Sequence, residues 1–310
     1  MRDSTLNNDV CSAVLRALGY YSLFQYPIKA DEVYGNLSIK SSLGCLLVAL
    51  EDLEERGIIF KSEGYYSLDS NIKQLVEKRK AANRLAQAKK MQAQKVGRFI
   101  FNFPFVRFVG ISGSLSKGYA DSKSDFDFFI VTAQNRLWIC RTFLHLFKKM
   151  TFLLGQQNKF CMNYFIDTNN LEIEEKNQYT AIELSSLIPV SGYDIFKKIE
   201  NVNKWTYDYL PNGYIGFSSD VSSIYDDKIF FKKIIEFFCD NFFSEKINKT
   251  LMVLTDKKWR KKWGKKNYPM EEYDIAFKTT LHISKNHPAN YQKRVLDVIS
   301  KFEQGANIFL

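Results

Sequence analysis

Two short runs near the middle of the chain carry residue types suited to phosphate chemistry. Gly113-Ser114 is followed, after the ten residues LSKGYADSKS, by Asp125-Phe126-Asp127. Val106 to Ile111 reads as a β-strand, Ser112-Gly113-Ser114 as a tight turn opening a helix, and Phe126 to Val131 as a second strand that begins beside the two acids. Side chains alternate across a strand, so Asp125 and Asp127 project together while Phe126 and Phe128 enter a core. Carboxylates paired this way hold divalent cations, and Mg2+ held by them activates a hydroxyl and stabilises a phosphate leaving group. Glycine lets the backbone approach a phosphate closely, and the amides of a helix N-terminus favour the anion. Lys117 and Lys123 are further phosphate candidates.

A Gly-Ser pair, about ten residues and then Asp-x-Asp, set in strand, turn-helix and strand, resembles the nucleotidyltransferase family of the DNA polymerase beta superfamily. The resemblance covers about residues 96 to 170. It implies a Mg2+-dependent enzyme that moves NMP from an NTP donor to a hydroxyl acceptor with release of pyrophosphate. Under it, Gly113 and Ser114 seat the β- and γ-phosphates, and Asp125 and Asp127 bind the metal. A third carboxylate on a neighbouring strand binds metal or takes the hydroxyl proton.

That neighbouring strand is KFCMNYFIDTNN, residues 159 to 170. Counting by two puts Cys161, Asn163, Phe165 and Asp167 on one side, which makes Asp167 the acid with the required facing, at the strand end. Asn163 sits nearer the middle, and an amide binds a cation through oxygen but cannot act as a base. Glu172 and Glu174 are the remaining alternatives. A helix expected over 135 to 150 offers Arg136 and Arg141, of which Arg141 is the better candidate for the phosphate mouth. His145 has no second histidine at ligand spacing, and His282 and His287 are five apart.

The surrounding elements imply an α+β (mixed α/β) chain. Residues 1–72 read as three helices and a hairpin, a pattern similar to a winged helix-turn-helix domain, with Leu43, Leu46, Leu47, Leu50 and Leu53 marking the buried side of the third helix. Residues 73–98 read as a basic linker helix, 99–174 as the catalytic core with its small mixed sheet, and 175–310 as a largely helical region that binds substrate. Asn203, Lys204 and Asn212 are its polar candidates for the acceptor, and Trp205 reads as packing.

Charge sharpens the choice of partner. The chain of 310 residues has a formal charge of +10, yet residues 73–98 carry +8 and residues 256–266 carry +6, which leaves −4 for the rest. Local patches rather than net charge attract phosphates. The third helix of the N-terminal unit presents Glu51, Asp52, Glu54 and Glu55, the wrong sign for the DNA backbone, so a nucleic-acid partner is possible and not favoured. Trp259 and Trp263, four apart, share a helical face that either packs on the core or meets a polyanion or membrane. Five scattered cysteines without a CxxC pair fit a reduced cytoplasm, and no run is apolar enough for a transmembrane segment. The competing expectation is a nucleic-acid-associated regulator, or a scaffold, built on a weakly active transferase fold.

Overall fold

A computed structural model of the chain describes residues 2–152, 160–213, 230–239 and 244–309. Val10, Val14, Leu15 and Leu18 recur at helical spacing, and all are buried on α1 (Arg2–Ser22). β1 (Ile28–Lys29) leads into α2 (Ala30–Asn36). α3 (Leu43–Glu55) begins where the Ser42 hydroxyl accepts the Cys45 amide at 3.1 Å. β2 (Phe60–Ser62) and β3 (Tyr65–Ser67) make a hairpin, and β1 pairs with β3 to complete a three-stranded antiparallel sheet. Leu46, Leu50 and Leu53 are buried on α3 as expected. Leu43 and Leu47 are not: they stand 50% and 47% exposed, because α1 and α2 cover only the Leu46 side.

The basic run is α4 (Ile72–Phe101), rich in good helix formers. Its cations are partly committed within the chain. Arg79 is 6% exposed and forks onto Glu32, with Nη1 to Oε2 at 2.8 Å and Nη2 to Oε1 at 2.6 Å. Its Nη1 also donates to the Pro27 carbonyl, and the guanidinium lies 4.3 Å from the centre of the Tyr26 ring and 4.7 Å from that of Tyr65. Lys80 pairs with Glu63 at 2.6 Å, and Lys78 donates to Gln25.

Beyond α4 comes β4 (Val106–Ser112), the four-residue α5 (Gly113–Ser116), β5 (Asp127–Thr132), α6 (Leu137–Phe152) and β6 (Cys161–Asp167). The chain then runs through α7 (Gln178–Ser185), β7 (Ile188–Ser191), α8 (Tyr193–Val202), α9 (Thr206–Tyr209), α10 (Phe230–Cys239), α11 (Ser244–Gly264), α12 (Tyr273–Ala276), β8 (Phe277–Thr279), β9 (Ile283–Asn286) and α13 (Tyr291–Phe309). A six-stranded sheet of order β7-β4-β5-β6-β9-β8 results, antiparallel except for the β5–β6 pair that α6 joins. Three of these strands come from the region expected to be largely helical. Pro189 lies in β7, an edge strand where a missing amide proton is tolerated. Gly192 follows at φ +86, and a Cβ there would lie 2.1 Å from the Arg107 carbonyl, so the turn from β7 into α8 requires glycine.

Two cores flank the sheet, and a third unites the ends of the chain. α6 packs with α4 behind Ile111, Phe128 and Phe165, while Phe108, Phe129 and Ile166 face α8. α1 lies along α13, so Val295 and Ile299 share a core with Val14, Leu18 and Leu50. Asn212 accepts the Ser41 amide at 3.1 Å and donates to Ile39, tying the N-terminal unit to the C-terminal half. Asn203 is 3% exposed and is spent on Ile173, Leu171 and Ile199, so neither asparagine faces an acceptor. Trp259 and Trp263 pack on Phe277, Trp259 buried in the core and Trp263 half-buried at its edge. Among the described residues no helix is long and apolar enough to cross a membrane.

Arg79→Ala would leave Glu32, the Pro27 carbonyl and two ring faces without the buried cation. Its expected cost is about 3–5 kcal/mol, read from the urea midpoint, because breaking a buried pair strands the remaining charge. A loss no larger than that of an exposed lysine such as Lys73→Ala would show that the clamp is not structural.

Candidate functional site

Strand register gathers the residues singled out by type. Ser112 at the end of β4 is paired with Asp127 at the start of β5, and Asp127 with Cys161 at the start of β6. The turn at Gly113 and the acidic pair therefore meet at one end of the sheet. Gly113 has φ +69, and a Cβ on it would lie 2.6 Å from Asp127 Oδ2, so this turn and this carboxylate exclude any side chain there. Asp125 lies just before β5 and is exposed. Ser112, Gly113, Ser114, Lys117, Lys123, Asp125 and Asp127 all line one cleft of about 740 Å³.

An unforeseen acid joins them. Glu183 on α7 lines the same cleft and accepts from Lys117 Nζ at 2.7 Å, while Lys117 also donates to the Gly113 carbonyl at 3.2 Å. Tyr179, one helical turn earlier, lines the cleft with it. Their i, i+4 spacing was visible in TAIEL and its flank, but nothing in that stretch says that α7 crosses the end of the sheet.

Burial pushes the Asp127 carboxyl from 3.8 up to about 6. A hydrogen bond with Cys161 and the charge of Lys117 oppose the rise, and repulsion from Asp125 and Glu183 adds to it. The Cys161 thiol is itself raised to about 12, first by burial and then by Asp127, which keeps it a neutral donor. Asn163 Nδ2 donates to Asp127 Oδ1 at 3.1 Å.

The third-acid position resolves differently from the count by two. Phe128 is opposite Met162 but Phe129 is opposite Tyr164, so Asn163 is an extra residue in β6 and strand alternation reverses after it. Asp167 is paired with Thr132 at the other end of β5, about 17 Å from the Asp127 register at the usual strand rise. It is fully buried, accepts the amides of Asn135 and Asn169 at 2.9 and 3.0 Å, and lies 2.8 Å from His282 Nδ1. The structure thus removes Asp167 from the metal and catalytic set and gives it a structural position. Arg141 is corrected likewise: it is buried on α6 over the Trp138 and Trp259 rings and does not line the cleft. Glu172 pairs with Lys176, and Glu174 with Lys278. His145 is half-buried on α6 and does not line the cleft, whereas His287 does, and burial there holds its imidazole at about 4.

The loop between the turn and the acids is held from α4 and the N-terminal unit. Asn83 Nδ2 donates to the Gly118 carbonyl at 2.5 Å and to Tyr26 Oη at 3.1 Å, and Tyr26 Oη donates to the Lys117 carbonyl at 3.3 Å. Lys89 Nζ reaches the carbonyls of Ser122 and Ser124 at 3.3 and 3.0 Å. Tyr21, Phe24 and Tyr26 continue into the cleft wall, and Phe24 meets Tyr291 of α13 at a ring separation of 5.6 Å. The N-terminal unit is therefore part of the cleft.

Comparison with protein-family models, with curated proteins and with solved structures finds no match to this chain. Among the described residues no group of three or more His, Cys, Asp and Glu side chains is arranged to hold a metal ion by itself. Mg2+ rarely needs such a cage, since it commonly binds through one or two carboxylates together with substrate phosphates. Asp125 and Asp127 offer that donor set; burial is the main cause of the raised Asp127, and a cation would offset both that and the smaller repulsion from Asp125 and Glu183.

The raised Asp127 has a pH signature. Without divalent cations, the folded chain keeps a proton there that the unfolded chain has already released between about pH 4 and 6, so stability falls as pH rises through that window, by roughly 3 kcal/mol. Asp127→Asn should lose this component, becoming more stable than the parent above pH 6 and equal to it near pH 4. Urea unfolding in a chelator over pH 4–7 measures it, and parallel curves for the two proteins would refute the buried-acid assignment.

Proposed function

We propose that the chain is a Mg2+-dependent nucleotidyltransferase, transferring NMP from an NTP to a hydroxyl acceptor and releasing pyrophosphate. The observation that supports this best is the meeting of Gly113-Ser114, Asp125, Asp127 and Glu183 at one end of a mixed sheet, open to a cleft of about 740 Å³. That volume is within the range of roughly 300–1,000 Å³ that small-ligand sites occupy.

In this reading the bare backbone at Gly113 admits the phosphate chain, and Ser114 and Lys123 contact its oxygens. Asp125 and Asp127 would hold Mg2+, which supplies charge stabilisation at the α-phosphate and the leaving pyrophosphate. The acceptor oxygen attacks the α-phosphorus as its bond to pyrophosphate breaks, and the hydroxyl proton passes to the Glu183 carboxylate, the acid on the opposite wall. Lys117 holds Glu183 in place and binds the turn carbonyl. Asn163, bonded to Asp127, orients the carboxylate and takes no proton. The N-terminal unit, winged-helix-like in its order of helices and hairpin, serves here as a wall of the cleft rather than as a reader of DNA.

Asp125→Ala/Asp127→Ala should lower Mg2+-dependent pyrophosphate release from NTPs, assayed over a panel of hydroxyl compounds, by about 100- to 1,000-fold. Equal release by parent and variant would end the proposal. Asn83→Ala tests the support of the loop. It leaves every cleft acid in place, yet kcat/KM for the NTP should fall roughly 10–100-fold as the Lys117–Gly118 backbone shifts. Unchanged kinetics would show that the turn holds its shape without α4.

A further inference from the structure

α10 is seated with its polar side inward. Lys232 is buried, with Nζ donating to the carbonyls of Phe101 and Val106 at 2.8 and 2.5 Å. One turn on, Glu236 accepts the Phe105 amide at 2.5 Å and pairs in two bonds with Arg107 at 2.8 and 2.9 Å. Lys232 and Glu236, four apart, thus fix the helix by the face that usually meets water. Phe237 and Phe238 point away from that face and are 79% and 73% exposed, and Ile235 at its flank is 44% exposed. Single exposed apolar residues are ordinary, but two adjacent phenylalanines this open on a helix whose charged side is docked need a different account.

α11 begins five residues after α10 ends, so the facing ends of the two helices lie within about 18 Å of each other. α11 exposes Ile247, Val253 and Leu254 among the exposed lysines Lys246, Lys249 and Lys257. The inward side of the same helix is satisfied by protein: Asn248 Oδ1 accepts the amides of Trp138 and Ile139 at 2.8 and 3.2 Å, and Trp259 is buried. α6, packed beside α11, adds Leu146 and Met150, 53% and 65% exposed, and the exposed Lys149. Among the described residues, Lys233, Lys246, Lys249 and Lys257 make no ion pair. Aromatic and aliphatic side chains flanked by unpaired lysines are the combination that lies in the interface of an anionic bilayer, rings in the acyl boundary and ammonium groups at the headgroups.

We propose that the exposed apolar side chains and lysines of α10, α11 and the end of α6 dock on an anionic membrane surface. The opposite charge of the headgroups selects this occupant over a second copy of the chain, whose same lysines would repel. The inference does not depend on the proposed transferase reaction.

Cosedimentation of the full chain with vesicles of phosphatidylcholine alone, or with about 30% phosphatidylglycerol, tests it. Binding to the anionic vesicles at least tenfold tighter than to neutral ones is expected, weakening from 50 to 500 mM salt. F237S/F238S and K246E/K249E should each lower that binding at least tenfold with unchanged circular dichroism, since all four side chains are exposed. No preference for anionic vesicles, or binding equal in both variants, would overturn the proposal. So would a concentration-dependent dimer in light scattering that F237S/F238S abolishes, or lysine-dependent binding to a duplex oligonucleotide without vesicle binding.

Discussion

A guanidinium buried on a helix cannot be left to solvent, and Arg79 fixes much of this molecule by that requirement. Glu32, the Pro27 carbonyl and Asn83 Oδ1 take four of its five donors, and the rings of Tyr26 and Tyr65 lie against the guanidinium. This brings the strand and helix after Pro27 against α4. Tyr26, pinned under the cation, then directs its hydroxyl to the Lys117 carbonyl, and Asn83, one turn along α4, bonds Gly118. The position of the turn that carries Gly113 and Ser114 is in this way inherited from an ion pair in another part of the fold. A lysine would hold only part of it, lacking the planar fork that binds both Glu32 oxygens.

How far the sequence could be read depended on whether its signals were local. The strand, turn and strand from Val106 to Val131 were legible because their cues lie within twenty-six residues: alternation, a glycine at the turn and the acids at the next strand. α1, α3 and the hairpin were legible for the same reason. β7, β8 and β9 were not, since each is three or four residues long and gains its hydrogen bonds only from distant partners. Asp167 failed through one residue. Counting by two holds along an unbroken strand, and the extra residue at Asn163 ended that regularity. Glu183 was hidden for the opposite reason, its helix being visible and its place across the sheet end not.

The charge divides along similar lines. In α4, Arg79, Lys80 and Lys89 have partners within the chain, so a run that resembled a polyanion site is partly internal scaffolding. In α11 the tryptophans turned toward Phe277, Trp259 fully and Trp263 in part, and the lysines stayed in water. Composition alone gave both runs the same meaning. Only the burial of individual side chains separates a cation that orders a fold from one that is free to meet a partner.

The packing of α1 on α13 carries a consequence for how the molecule comes apart. The first and last helices share one hydrophobic cluster, and α7, whose Glu183 faces the cleft, contributes Ala181 and Ile182 to it. Units that look separable along the chain are thus closed into a ring, with the cleft as its hollow. Loosening either end exposes apolar surface on the other and withdraws the support of α7 at once. Melting should therefore run as one cooperative transition, in which the N-terminal unit has no stability of its own to retain.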